Sequence, residues 1–323
     1  MNKLRKIFVM KRIVIVLLFY YGLADAQRPA ERFVSALTYD EKDKEVLMFG
    51  GAGKDTIFHD LWALKGSTWK KLSDAGPPRI KFAFAYDAHR NVAVLFGGSG
   101  TQPLHGDTWE WNGNAWREIK IPGPSARNHP MGIYDRKDKN VLIFGGFSNN
   151  RLISDTWVYD GKSWILKDTN GPKHCLPHGL IYDEVRDRIV MLTLRDGRDS
   201  ANPSRTKNEM WEWTGHSWNQ INSGTVLTSA NGLQALCSFD KDEIVLFDAD
   251  DVVGGKCKTW KFSNGQWSGL FFSQPSTRVG EGMIYDRDKH KSILFGGSDR
   301  KIFFNDLWEW DGSQWGEIKN TKK

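Results

Sequence analysis

Six copies of one sequence pattern predict an all-β fold, a six-bladed β-propeller in which each repeat forms one four-stranded blade. The first observation is a pair of tryptophans seven residues apart, whose first member recurs every 47 to 54 residues. That interval is typical of propeller blades. The second observation is an aromatic residue followed by Asp, and the third is Phe-Gly-Gly ten residues after that aromatic in four of the six copies. The tryptophan pairs are Trp62/Trp69, Trp109/Trp116, Trp157/Trp164, Trp211/Trp218, Trp260/Trp267 and Trp308/Trp315.

Each repeat predicts four short strands, which we label A to D in chain order. Strand A ends at the aromatic–Asp pair, strand B is an apolar run that ends at Phe-Gly-Gly, and strands C and D carry the two tryptophans. Such segments, separated by Asn-Gly or Asp-Gly turns, are typical of an antiparallel meander. In the third repeat the predicted strands are Met131 to Tyr134, Asn140 to Phe144, Thr156 to Tyr159 and Ser163 to Lys167.

At these residues the chain resembles the Kelch repeat family, which has a double glycine after the second strand and spaced aromatics on the third and fourth. The resemblance covers Arg32 to Lys319 and implies a propeller. Repeats four and five depart from the pattern, since they read Leu192-Thr193-Leu194 and Phe247-Asp248-Ala249 at this place. Because propellers of this family include enzymes, protein-binding modules and scaffolds, the resemblance implies a fold and leaves the function open.

The segment before the repeats has the pattern of a secretory signal peptide. Lysines and arginines precede an apolar run from Ile13 to Leu23, and Ala24-Asp25-Ala26 offers a cleavage site. An uncleaved anchor is the less favoured alternative, because a membrane-spanning helix needs about 20 apolar residues and this run is shorter. We therefore expect removal of residues 1-26, no membrane span in the mature chain, and a secreted or periplasmic location.

Residues 27-323 are expected to form one domain, because each blade can bury its faces only against its neighbours. The repeats cover approximately 32-78, 79-126, 127-173, 174-225, 226-277 and 278-319. The leader carries five positive charges and one negative charge of a total of +6, so the mature chain has a net charge of +2. A nucleic-acid partner would normally require a strongly basic domain, and none is predicted. The expected state is a monomer.

The three cysteines are too few for a disulfide scaffold. An odd number leaves at least one outside any internal disulfide. A bond between Cys237 and Cys257 is possible, but strand B of the fifth repeat lies between the strands that carry them, so the unbonded state is favoured.

The repeated side chains are interpreted as scaffold. Trp111, Trp213 and Trp310 lie two residues after a paired tryptophan, on the same face of strand C, so packing between blades is favoured over stacking on a sugar. An Asp follows each strand A, and an Asp or Glu precedes strand C in five repeats. These carboxylates are expected to accept hydrogen bonds from backbone donors at turns, since a catalytic pair is needed only once.

A site is expected where the repeats differ. In a meander propeller the D-to-A connections and the B-to-C loops open on one face, here called the loop face. The short A-to-B and C-to-D turns open on the opposite face, here called the turn face. No two B-to-C loops match, which makes the loop face the candidate binding face. These loops span 52-59, 99-106, 147-154, 195-208, 250-258 and 298-305, and the fourth predicts either a mobile loop or a partner contact.

Arginines recur in the connections that enter strand A. They are Arg32, Arg79, Arg127 and Arg278, with Lys173 and His174 in the comparable stretch of repeat four. A ring of guanidinium groups around the axis predicts an anionic ligand, a carboxylate or an acidic sugar. The favoured alternative, compatible with the first, is that these arginines brace neighbouring blades.

Five of the eight histidines map to the loop face: His59, His105, His129, His174 and His178. Cys175 lies between the last two, which makes metal binding an alternative to weigh. Because the five are spread over four repeats, surface histidines are favoured, and we predict no metal and no cofactor. The predicted ligand-binding residues are Arg79, Arg127, His129, His174, His178 and Arg278.

The resemblance implies two enzyme classes for comparison. A copper centre of the galactose oxidase type requires metal-bound tyrosines, but five of the six mature tyrosines hold the aromatic–Asp position and Tyr159 lies on strand C, so this activity is rejected. An enzyme of the sialic acid mutarotase type needs a general acid or base beside a carboxylate-binding arginine. Glu281, near Arg278, is the catalytic candidate, although a solvated carboxylate paired with Arg278 is favoured.

The sequence therefore predicts a secreted Kelch-type propeller whose loop face binds a protein or glycan ligand. The alternative is a cofactor-free enzyme acting on an acidic sugar through Glu281. A deep funnel with Glu281 and at least two of Arg79, Arg127 and Arg278 pointing inward would favour the enzyme.

Overall fold

Six four-stranded antiparallel sheets form the blades of a β-propeller, which confirms the predicted fold class. The structure is a computed structural model that describes residues 28-100, 104-173, 175-195, 208-221, 235-239, 243-253 and 256-319. Each blade consists of consecutive strands in the order A-B-C-D, and the A strands of neighbouring blades lie side by side around the axis. Within the described residues, no helix has the length and apolar character needed to cross a membrane.

The strands are short and regular. Blades 1 and 2 comprise β1 (Ala36–Asp40), β2 (Glu45–Phe49), β3 (Leu61–Lys65), β4 (Thr68–Ser73), β5 (Ala83–Asp87), β6 (Val92–Phe96), β7 (Thr108–Trp111) and β8 (Trp116–Ile119). Blade 3 comprises β9 (Met131–Asp135), β10 (Asn140–Phe144), the loop hairpin β11 (Phe147–Ser148) and β12 (Arg151–Leu152), β13 (Thr156–Tyr159) and β14 (Trp164–Asp168). Blade 4 comprises β15 (Cys175–Asp183), β16 (Arg188–Arg195), β17 (Asn208–Trp213) and β18 (Trp218–Ile221). Blades 5 and 6 comprise β19 (Ala235–Phe239), β20 (Glu243–Val253), β21 (Lys256–Ser263), β22 (Gln266–Phe272), β23 (Gly282–Asp286), β24 (Lys291–Phe295), β25 (Leu307–Trp310) and β26 (Trp315–Glu317).

The four strands predicted in the third repeat agree with the structure to within one residue at each end. Two B-to-C loops differ from the prediction. In blade 3 the small hairpin β11–β12 turns through Asn149 and Asn150 at φ of 49° and 60°, a conformation that Asn tolerates better than most residues. In blade 5 the predicted loop is largely strand, because the β-branched Val252 and Val253 extend β20.

The hydrophobic core lies between the blades. Six clusters of buried residues occur, one at each contact between neighbouring blades. The cluster between blades 1 and 2, for example, packs Leu47 and Phe49 against Phe84 and Trp111. Trp111 also lies directly opposite Trp116 across β7 and β8, with ring centroids 5.8 Å apart. The additional tryptophans of strand C therefore pack between blades.

The paired tryptophans also form hydrogen bonds that are specific to their position. The first indole N–H of a blade donates to the Asp two residues earlier, as Trp157 does to Asp155 at 2.8 Å. The second donates to a threonine of the preceding blade, as Trp164 does to Thr108 at 2.9 Å. Where Leu61 replaces that threonine, the indole N–H of Trp116 is buried without a hydrogen-bond partner in the described part of the chain. The fold thus depends on the indole N–H groups as well as on ring packing.

The repeated carboxylates have two different roles. The Asp after strand A caps the A-to-B turn, as Asp135 does by accepting the backbone N–H groups of Lys137 and Asp138 at 3.1 and 3.2 Å. This turn role was predicted. The Asp before strand C, by contrast, accepts hydrogen bonds from an arginine and an indole, so the predicted turn role is wrong for Asp60, Asp107, Asp155 and Asp306.

The ring closes by packing of blade 6 against blade 1, without a strand shared between the two ends of the chain. The Val34 N–H donates to the Gly280 carbonyl at 2.6 Å, and the Gly297 N–H donates to the Arg32 carbonyl at 2.8 Å. In blade 5, β20 lies between the strands of Cys237 and Cys257. Two strand spacings, about 9.5 Å, exceed the Cα separation of a disulfide. This register disfavours the Cys237–Cys257 bond.

Candidate functional site

The predicted ligand-binding arginines are buried inside the blades. Arg79, Arg127 and Arg278 are each at most 3% exposed, and Arg32 is fully buried. Each guanidinium forms a paired contact with the Asp 28 residues later in its own blade, as Arg278 does with Asp306 at 2.5 and 2.9 Å. Planar, two-point contacts of this kind are the strongest charge-assisted hydrogen bonds.

Donor counting shows how little of Arg127 and Arg278 remains for a ligand. A guanidinium has five N–H donors. Those of Arg278 are all used, by Asp306, by the Gly296 carbonyl, and by the carbonyl and hydroxyl of Ser276. Arg127 uses its five in the same way. This geometry favours the bracing interpretation for these arginines.

The charge of each arginine also acts on its carboxylate partner. Burial alone would raise the pKa of Asp60, but hydrogen bonds from Arg32 and Trp62, together with the arginine's charge, outweigh burial and lower the pKa. The pKa of Asp107 is lowered in the same way, since Arg79 and Trp109 outweigh its desolvation. The arginine and indole contacts therefore favour the ionised form of both carboxylates.

The position of the buried arginine depends on its contact with the double glycine. In blade 1 the Gly50 carbonyl accepts from Arg32, and the next N–H, of Gly51, donates to the carbonyl of Arg79 in blade 2 at 3.2 Å. Both glycines have positive φ, 65° and 94°. A side chain on Gly51 would also come within 2.9 Å of the Phe33 carbonyl oxygen. The double glycines of blades 1, 2 and 6 thus each join an arginine of their own blade to the backbone of the next.

The six A strands surround a central channel with a cavity of about 320 Å³. Its wall is largely apolar and includes Ala36, Leu37, Phe84, Ala85, Met131, Ile133, Leu180, Met283 and Ile284. Polar side chains concentrate at the two ends. The interior of the channel is therefore apolar, and its two mouths carry different sets of polar groups.

The loop-face mouth is formed by the residues two and three positions after each arginine. Val34, Lys81, His129 and Gly280 have φ of 50°, 58°, 52° and 69°, the left-handed region. Such a conformation is a genuine outlier for the β-branched Val34. The His129 N–H donates to the Lys81 carbonyl at 2.7 Å, which joins blades 2 and 3 at the mouth. Backbone strain of this type is concentrated at functional sites in many proteins.

Three chemically different side chains line this mouth: Lys81, His129 and Glu281. Burial, with a smaller contribution from the charge of Lys81, lowers the pKa of His129 to about 4. The imidazole is therefore neutral near pH 7, with one donor and one acceptor nitrogen. Glu281 is only 8% exposed and belongs to blade 6, as do Arg278 and its partner Asp306. The five Arg278 donors are used elsewhere, so the expected Arg278–Glu281 pair is replaced by Arg278–Asp306.

The turn-face mouth is crossed by a cluster of four charges that sequence reasoning missed. Arg287 donates to Glu41 at 2.5 Å and to Glu184 at 2.7 Å. Arg136 also contacts both glutamates, with its Nε 3.9 Å from Glu184. The four residues follow the capping Asp of blades 1, 3, 4 and 6 and are not alike in sequence, so no repeat signal could have found them. We call this group the cross-channel cluster.

The repeated tyrosines stand beside the turns of the preceding blades. Burial, followed by the charges of Asp286 and Asp288 in blade 6, raises the pKa of Tyr39 to about 12. Burial and Asp40 of blade 1 likewise raise the pKa of Tyr86. These positions tie each blade to its neighbour, and the described tyrosines supply no metal ligand at the loop face.

His59 and His105, the other described loop-face histidines, are not part of the channel wall. His59 is exposed on its loop, and His105 lies 3.9 Å from Asp107, with a pKa lowered by burial and by Arg79. His174 and the side chain of His178 lie outside the described residues, as do residues 196-207 of the fourth loop. In the described part of the chain, one acidic group, Asp40, Asp43 and Glu45, has oxygens within 4.8 Å of one another, but it lies on the turn face.

Comparison of the chain with protein-family models gives no match. No curated protein matches it either. The fold itself, a six-bladed propeller, is compatible with a role in protein binding.

Proposed function

We propose that this protein is a Kelch-type binding protein that receives its ligand at the loop face, in the mouth of the central channel. The observation that carries the proposal is the contrast between polar groups that repeat and polar groups that differ between blades. The repeated arginines and aspartates bind one another inside the blades, whereas Lys81, His129 and Glu281 differ from blade to blade and line the cavity. Non-repeating side chains at a common position are where a repeat scaffold gains specificity.

The chemistry of the mouth defines the ligand that fits. Lys81 supplies a cation, the neutral His129 supplies the ring nitrogen that does not contact Asn128, and Glu281 supplies a carboxyl group, above an apolar wall. A protein side chain or a glycan with a carboxylate and an apolar face matches these groups. The Lys81 ammonium would hold the carboxylate, and the wall would bury the apolar face.

A binding screen on the wild-type protein tests this proposal. Glycans, organic acids and a library of extended peptides are measured by calorimetry or by a surface-bound assay. For a ligand that binds, Lys81→Ala is expected to weaken affinity at least tenfold. The exposed turn-face residue Lys42 provides the matched control, and Lys42→Ala should leave affinity unchanged. No ligand from any class, or equal effects of both variants, would contradict the site.

The second candidate function is a cofactor-free enzyme acting on an acidic sugar. It is supported by Glu281 and His129 in one cavity, because a buried carboxyl and a neutral imidazole can exchange protons with a sugar ring oxygen. It is weakened by Arg127 and Arg278, which face their aspartates rather than the channel. If the enzyme is correct, Glu281→Gln should lower kcat on an acidic sugar while KM changes little. Unchanged turnover would exclude it.

We also propose that the protein is exported and that its leader is removed after Ala26. The support is the charge and apolar pattern of residues 1-26. Sequencing of the N-terminus of the protein recovered outside the cytoplasm should begin at Gln27. A chain that begins at Met1 in the membrane fraction would favour the anchor.

A further inference from the structure

The outer strand of blade 5 lacks the features that protect the outer strands of the other five blades from pairing with another chain. Strand D is the last strand of its sheet in each blade, and within the described residues no further strand pairs with the backbone N–H and C=O groups of its outer side. Proteins protect such edges with charged side chains, with bulges or with short strands, because an unprotected edge pairs with other chains. The six blades allow a comparison within one molecule.

Five outer strands carry at least one of these protections. β4 contains Lys70 and Lys71, and β14 contains Lys167 and Asp168, and both pair with a register shift. The three remaining protected strands, β8, β18 and β26, have four, four and three residues. β22 has seven residues, no charge, and an unshifted register along β21. It is therefore the long, flat and uncharged edge of this propeller.

The exposed side chains of β22 are apolar. Leu270 is 41% exposed and Phe271 is 46% exposed. Since adjacent residues of a strand point to opposite faces, each face of the edge offers one large apolar group. Gly269 lies between Trp267 and these two apolar residues, and a Cβ at this position would come within 2.3 Å of Lys258 Cε. The Lys258 ammonium lies 3.6 Å from the Trp260 ring centroid and 4.9 Å from that of Phe271.

We propose that β22 is a self-association edge, which pairs antiparallel with β22 of a second copy of this chain about a two-fold axis. A two-fold axis normal to the sheet places Leu270 opposite Leu270 of the partner subunit. In the same register Phe271 lies opposite Gly269 of the partner subunit, and an aromatic ring packs well over a cross-strand glycine. The result is an eight-stranded sheet that joins blade 5 of both copies.

Charge favours a second copy as the occupant. An added strand that carries charged residues would bury part of their charge against Leu270 and Phe271, at a cost in desolvation. β22 itself has no charged side chain, and its apolar residues cover those of its partner, while the neighbouring Lys258 ammonium lies over the Trp260 ring. Two-fold contacts of this self-complementary kind are the commonest in protein assemblies. The expected monomer is replaced by a concentration-dependent dimer, because a contact of two edge strands is small.

Analytical ultracentrifugation of the full chain over a concentration series tests the proposal. The wild-type mass should rise from one chain toward two, and Leu270→Lys should hold it at one chain. Ile165 on β14 is the matched control, since it is 43% exposed on a protected edge, and Ile165→Lys should dimerise like the wild type. A wild-type mass of one chain at every concentration, or equal behaviour of the two variants, overturns the proposal.

Cross-linking tests the register separately. Leu270→Cys should give a covalent dimer with a short bis-maleimide reagent, and Ile165→Cys should not. Equal yields from both variants would show that another surface forms the dimer. Ligand binding at the channel mouth lies on the other side of the blade, so Leu270→Lys should leave it unchanged. Failure of this proposal is thereby distinct from failure of the proposed function.

Discussion

The buried arginine of each regular blade stabilises the sheet by holding a carboxylate that is largely shielded from water. We expect Arg127→Ala to lower the free energy of unfolding by about 3 kcal/mol, the lower end of the range for a buried ion pair, because the Asp155 side chain, which is 20% exposed, would lose the guanidinium. The Gly145 carbonyl would also lose a donor at 3.1 Å. Urea unfolding followed by tryptophan fluorescence measures the change.

The exposed ion pair between Lys71 and Asp74 is the control for this prediction. Its partners are 35% and 62% exposed, so water already solvates both charges. Asp74→Ala should change the free energy of unfolding by less than about 1 kcal/mol. If the two substitutions cost the same, the arginine does not brace the blade, and the ligand-binding interpretation of Arg127 gains support.

His129 makes stability depend on pH in a window separate from that of the carboxylates. Its folded pKa is about 4, below the ordinary value of 6.5, so the unfolded chain binds the proton more tightly. The stability that comes from the neutral imidazole is fully present above pH 6.5 and is lost as pH falls toward 4. The loss reaches at most about 1.4 kcal/mol per pH unit for one proton.

In a His105→Asn background, which removes a second imidazole of lowered pKa, His129→Asn should remove this dependence, since Asn tolerates the left-handed backbone at this position and does not titrate. Thermal unfolding of both proteins between pH 7 and pH 4 provides the measurement. Asp60 and Asp107, whose pKa values are lowered, do not interfere with this measurement. Their contribution to stability is present above the ordinary carboxyl pKa of 3.8 and is lost only below it. A variant that still loses stability from pH 6.5 downward would assign the effect to another group.

At the scale of the blade, the second tryptophan depends on one hydroxyl of the preceding blade. Thr108→Val keeps the shape of the side chain but removes the acceptor of the Trp164 indole N–H. A buried donor left unpaired costs about 1–3 kcal/mol, and we expect a loss in that range. Thr108→Ser should retain most of the stability because it keeps the hydroxyl. Equal losses in the two variants would mean that packing, and not the hydrogen bond, joins the blades here.

The strands were predictable because their signals are local. In blade 3 the alternating apolar pattern and the two tryptophans place β9, β10, β13 and β14 to within one residue. Long-range partners were not predictable in the same way. Arg127 and Asp155 are 28 residues apart, and the sequence placed both at repeated positions without showing that they meet. Bracing was therefore one of two interpretations until geometry accounted for the donors.

The channel mouth shows the same limit at the site. His129 and Glu281 were both named as candidates from sequence, and both line the cavity. Lys81 was missed, because a lysine beside a strand is usually a solvated surface residue. The signal that could have found it is positional, since Lys81 and His129 each stand two residues after the arginine of their repeats.

At the scale of the whole molecule, the cross-channel cluster joins neighbouring blades and also links blade 1 to blade 3 and blade 4 to blade 6. Glu41 of blade 1 binds Arg287 of blade 6, 246 residues away, and Arg136 of blade 3. Glu184 of blade 4 binds the same two arginines. Each arginine lies between two carboxylates, so the cluster is neutral and spans the turn-face mouth. Ligand entry is consequently expected from the loop face.

A double-mutant cycle on Arg287 and Glu41 tests whether this cluster holds the ring together. These side chains are each 27% exposed, so a coupling of about 1 kcal/mol is expected, larger than that of a fully solvated pair. The coupling should shrink as salt rises from 0.05 to 1 M, because the Debye length falls from over 10 Å to about 3 Å. The cycle is measured by urea unfolding at both salt concentrations, with Lys44→Ala, whose contact with Asp288 is exposed, as the reference for non-specific charge effects. Additive effects of Arg287→Ala and Glu41→Ala at low salt would show that blade packing alone closes the propeller.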